Sequence, residues 1–95
     1  MGITQKDIVH TFVNGATEGR CGGAGNLVIS GNKLIHYQTI ISERVDDKYI
    51  INMTRYSIVT GRIQKEIENS VPQNSRLIVT RVPEGYRGSL KEYLQ

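Results

Sequence analysis

Ile8, Val9, Phe12, Val13 and Ala16 recur at three- and four-residue spacing, which places them on one side of a helix near the N-terminus. Thr4 and Asp7 resemble a capping box with Asp in place of Glu or Gln, and Ile3 and Ile8 flank it as a hydrophobic staple. Asn14-Gly15 is the natural stop, since both residues tolerate the left-handed backbone that closes helices. The period then changes. Leu27-Val28-Ile29 predicts a short strand and Gly31-Asn32 a turn. Residues 33–45 read as one long strand, with Ile35, Tyr37, Thr39, Ile41 and Val45 on one face. Leu34, His36, Gln38, Ile40, Ser42 and Arg44 form the other. Neither face is uniformly apolar, so a face-switching bulge is expected near Thr39-Ile40. Asp46-Asp47 then turns the chain into a strand over 48–53, giving a hairpin.

A second change of period follows at Asn52–Gln64. Tyr49, Ile51 and Met53 alternate, whereas Val59, Ile63 and Ile67 recur every four residues and predict the buried stripe of a helix running to about Asn69. Ser57 or Thr60 supplies the cap, because a short side-chain oxygen accepts from the unpaired N–H groups of a helix start. Arg55 and Arg62 flank that start. The corner is therefore either simply well capped or a weak anion site as well. Arg62 and Glu66 are spaced to pair on the wet side. Val71-Pro72 ends the helix, residues 76–82 form the last strand, and Pro83-Glu84-Gly85 turns the chain. Ser89 and Glu92 form a second capping box over a short helical tail carrying Leu90, Tyr93 and Leu94. The expected fold is a small α+β domain spanning 1–95, in the order α-β-β-β-α-β-short α. Its mainly antiparallel sheet has about four strands, with helices on one face.

Composition narrows this picture. Ninety-five residues build one modest core, and 38% hydrophobic with 22% charged residues fits a globular chain. With no Trp and one Phe, that core rests on Ile, Val and Leu. The net charge of +3 permits nucleic acid or an acidic protein as partner and demands neither. A lone cysteine, Cys21, forms no internal disulfide, and no apolar run is long enough to span a membrane. The N-terminus lacks the basic start and apolar core of a signal peptide, so the expected location is the cytoplasm of the cell that makes it.

Little here points to chemistry. Gly19–Gly25 is glycine-rich but follows a helix and precedes a strand, the reverse of a nucleotide-binding loop, and reads as a connection. Cys21 sits among glycines, where a nucleophile is poorly held, and one Cys with two His falls short of a zinc site. No carboxylate pair is set for acid–base work. The expectation is a protein without catalytic residues, metal or cofactor.

The segment Ile29-Ser30-Gly31-Asn32-Lys33-Leu34-Ile35-His36-Tyr37-Gln38-Thr39-Ile40-Ile41-Ser42, followed by Asn52, Thr54, Tyr56, Ser57, Thr60 and Gln64, resembles small uncharacterised proteins of phages and other mobile elements. Their shared features read "I-x-G-N-x-L-x-x-Y-x-T-x-I-A" and then "N-x-T-K-Y-S-V-T-T-S-K-x-Q". Arg55, Ile58 and Arg62 are conservative counterparts, while Val59 and Gly61 stand where the family more often carries Thr and Ser. The resemblance covers roughly residues 26–68 and implies a phage accessory protein in a host cell, with no activity to transfer.

Two functions compete. The first is a binding protein acting on a host or phage protein, alone or in a nucleoprotein complex, as an anti-CRISPR-like inhibitor of host defence does. The second is a basic nucleic-acid-binding protein contacting phosphates. Either would work through Arg55, Tyr56, Ser57, Thr60, Arg62, Lys65, Arg76 and Arg81, the residues gathered at the corner and in the basic second half. A patch around His36, Tyr37 and Ile40 would mark a protein partner, and an open sheet edge would allow a homo-oligomer.

Overall fold

The computed structural model describes residues 5–20, 27–86 and 88–94. The expected features at Ile3, Thr4 and the greater part of the glycine-rich run lie outside them. Helix α1 is Gln5–Val13, and Gly15 closes it with φ +101°. Five strands then follow as an antiparallel meander: β1 Glu18–Arg20, β2 Leu27–Ser30, β3 Lys33–His36, β4 Thr39–Val45 and β5 Lys48–Asn52. Helix α2, Ile58–Ser70, crosses over to β6, Arg76–Val79, which pairs parallel to β5. The spatial order is β1-β2-β3-β4-β5-β6.

The α+β class stands, and three details are corrected. The sheet has six strands rather than four. One addition is β1, whose Glu-Gly-Arg carries no hydrophobic alternation to announce it. The other comes from the expected long strand, which is two strands folded at Tyr37-Gln38. Both turn residues have positive φ, 51° and 69°, the backbone of a two-residue I′ hairpin built without its usual Asn or Gly. The bulge lies one step later than expected. Leu34 opposes Ser42 and Ile35 opposes Ile40, leaving Ile41 as the extra residue.

The third correction concerns layers. α1 and α2 cover one face, where Ile8, Val9, Phe12, Leu34, Ile41, Ile51, Ile63 and Ile67 are buried together. The short C-terminal helix, a 3₁₀ turn at Leu90–Tyr93, lies instead on the opposite face over Ile40, Ile50, Val79 and Val82. Its anchor is Glu43. This buried carboxylate accepts from the Ser89 hydroxyl and the Leu90 N–H, each at 2.8 Å. Ser89 is the cap, as expected, but Glu92 turns away and accepts from Tyr86 at 2.6 Å, pushing that phenol up to about 12.

The α2 stripe also differs. Ile63 and Ile67 are buried, yet Val59 is 49% exposed, and Thr60 and Gln64 occupy the inner arc. Glu66 pairs with His10 of α1 at 2.9 Å rather than with Arg62.

Candidate functional site

All strand ends that meet the start of α2 share one end of the sheet, here called the upper end. β1, β3, β5 and β6 finish there, and β2 and β4 begin there. The corner after β5 is held by side chains. Asn52, fully buried, donates to the Ile40 carbonyl and the Tyr56 hydroxyl, each at 2.9 Å, and accepts from the Thr54 N–H at 3.0 Å. Tyr56 in turn donates to the Val82 carbonyl at 2.6 Å, and the Val82 N–H reaches the Thr54 hydroxyl at 3.0 Å. Gln64, one helical turn and a half inside α2, donates back to the Asn52 and Thr54 carbonyls, both at 2.7 Å. These bonds satisfy polar backbone groups of a partly buried corner.

Ser57 is the cap of α2. Its hydroxyl accepts from the Thr60 N–H at 3.2 Å and donates to the Thr60 hydroxyl at 3.1 Å. Thr60 meets Nδ1 of His36 at 3.0 Å, which ties the helix start to the β3–β4 hairpin. The imidazole is 2% exposed, and its Nε2 has no hydrogen-bond partner. Burial disfavours the charged ring and holds its pKa below the ordinary 6.5.

The eight residues singled out by sequence therefore divide. Tyr56, Ser57 and Thr60 spend their hydroxyls inside the fold. Arg76 lies at the opposite end of α2, donating to the Val71 carbonyl at 3.1 Å; its place in chain order gave no hint that α2 would separate it from the corner. Arg55, Arg62, Lys65 and Arg81 remain exposed. Arg55 and Lys65 line a groove of about 510 Å³ beside the α2 start, with Tyr56, Ser57, Ile58 and Glu68. Arg62 projects on the other flank, toward Lys6 and Glu66. Arg81, at φ 63°, belongs to the connection that bonds the corner through Val82.

Of the patch expected around His36, Tyr37 and Ile40, only Tyr37 is exposed, since His36 and Ile40 are buried, and sequence reasoning missed the exposed Ile58 and Val59. Tyr37 is 62% exposed, Ile58 79% and Val59 49%. The buried His36 ring joins the hairpin to the helix start, with the Tyr37 ring 4.5 Å from it edge-on and Thr60 of the α2 first turn on its Nδ1. The strand ends and connections here carry Arg20, Arg55 and Arg81 against Glu84 among the described residues. Among those residues there is no group of three His, Cys, Asp or Glu placed to hold a metal ion, and no helix is long and apolar enough to cross a membrane. Comparison with protein-family models, curated proteins and solved structures finds no match.

Proposed function

We propose that this is a non-catalytic binding protein that docks the upper end of its sheet onto an acidic face of a partner protein. One observation carries the reading: Tyr37 on the β3–β4 turn and Ile58 and Val59 in the first turn of α2 are all exposed at this one end of the sheet, whose strand ends and connections carry more arginines than carboxylates among the described residues. An aromatic anchor within an apolar patch and a rim of arginines is the usual composition of a protein interface. The Tyr37-Gln38 backbone adds to it. Two consecutive non-glycine residues in the left-handed region are strained, and such strain collects at sites that bind. The resemblance of residues 26–68 to phage proteins supports an accessory role directed at a host or phage macromolecule, with inhibition of host defence as the specific form.

A second reading has its own support. Arg55 and Lys65 flank the groove at the start of α2, where backbone N–H groups favour an anion. Nucleic acid would use these as phosphate contacts. Salt separates the two readings. Mobility shifts with single-stranded and duplex oligonucleotides should show affinity falling by orders of magnitude between about 50 and about 200 mM salt if about six phosphates are held. The protein reading predicts no such complex. It also predicts a partner captured from host lysate despite nuclease and lost from a Tyr37→Ala/Arg55→Ala variant that remains folded. Retention of that partner by the variant, or its loss on nuclease treatment, would overturn the protein reading.

A further inference from the structure

Among the described residues the six-stranded sheet ends in two open edges, and they are built differently. β1 is three residues long, with Glu18 and Arg20 exposed on either side of a glycine. Short, charged edges of this kind resist pairing with another strand. β6 is less protected. Its sequence is Arg-Leu-Ile-Val, without lysine or proline, and it pairs with β5 residue for residue with no bulge. Its one cation, Arg76, is turned back onto the Val71 carbonyl. Ile78 lies on the helical face beside Ile51 but is 45% exposed. After Val79 the chain leaves the edge: Arg81 takes a left-handed backbone, and Val82 packs under the opposite face. Among the described residues no further strand pairs with β6.

We propose that β6 is a self-association edge, pairing antiparallel with β6 of a second copy to make one continuous twelve-stranded sheet. The occupant follows from self-complementarity. A two-fold axis perpendicular to a sheet keeps each face on its own side, so opposed residues must come from the same face. Centring the axis on Ile78 sets that side chain against its own copy. Leu77 then faces Val79 on the second face, and Arg76 faces Thr80. Exposed apolar surface meets apolar surface, and no cation opposes another. This edge is separate from the binding end proposed above, and neither reading depends on the other.

Sedimentation velocity of the full chain, from micromolar to millimolar concentration, should show a reversible monomer–dimer equilibrium. Ile78→Lys should weaken the dimer by about tenfold or more, because two ammonium groups would then meet at the axis. Its far-UV circular dichroism should stay that of the parent. Register is read separately, in a Cys21→Ser background. Ile78→Cys should crosslink on mild oxidation, since directly opposed residues lie within disulfide reach, whereas Thr80→Cys should not. A monomer at every concentration overturns the proposal. So does a dimer unaffected by Ile78→Lys, open-ended polymer in place of dimer, or crosslinking through Thr80→Cys and not Ile78→Cys.

Discussion

His36 is an imidazole whose surroundings suit only its neutral form. One nitrogen shares a hydrogen bond with Thr60, the other is buried without a partner, and desolvation lowers the pKa. The unfolded chain takes up a proton near the ordinary 6.5, whereas the folded chain does so only at lower pH. The His36 contribution to stability is therefore complete above about 6.5 and declines as pH falls below it, by up to about 1.4 kcal/mol per unit. NMR titration of the His36 ring should give a midpoint below 6.5; a midpoint at or above that value would refute this account. Asn52 gives a second prediction. Asn52→Ala leaves the Ile40 carbonyl and the Thr54 N–H without this partner at a fully buried site, and denaturant titration should show a loss of about 3 kcal/mol. The sequence pattern Asn52, Thr54, Tyr56, Ser57, Thr60, Gln64 marked this corner correctly. It could not show that the same residues serve the fold, because hydrogen-bond partners at Ile40 and Val82 come from other strands and loops.

Among the elements, the β3–β4 hairpin departs furthest from expectation. Turn signals rest on Gly, Asn and Asp, and Tyr37-Gln38 offers none. The turns at Gly31-Asn32 and Asp46-Asp47, which carry those residues, were legible, as was the Ser57 cap. If Tyr37-Gln38 is retained for contact rather than for folding, Tyr37→Asn/Gln38→Gly should raise stability by about 1 kcal/mol while weakening partner binding. Calorimetry reads the first effect and capture the second. The period of α2 was legible in Ile63 and Ile67 but not in Val59. Thr60 and Gln64 take the inner arc because His36 and the corner carbonyls need hydrogen bonds there. Ile63→Ala, at a buried site facing α1 and the sheet, should cost about 2–5 kcal/mol by denaturant titration.

At the scale of the molecule, one sheet separates two apolar layers of unequal build. Helices α1 and α2 cover the first, and Val82, Tyr86, Leu90 and Tyr93 cover the second with a single 3₁₀ turn. Sequence alone did not assign that tail to the far face, since its pattern of Leu90 and Tyr93 is too short to name a side. The Glu43 carboxylate fastens it. Glu43→Ala should speed amide hydrogen exchange across 89–93 while leaving the α2 amides protected, a pattern read by mass spectrometry. The strictly sequential strand order has an entropic consequence. Every pairing from β1 to β5 joins neighbours along the chain, so each closes a short loop at small entropic cost. Only the parallel pairing of β5 with β6 spans an intervening helix, from Asn52 to Arg76. Of the five strand pairings, closure across α2 therefore carries the largest loop-entropy cost.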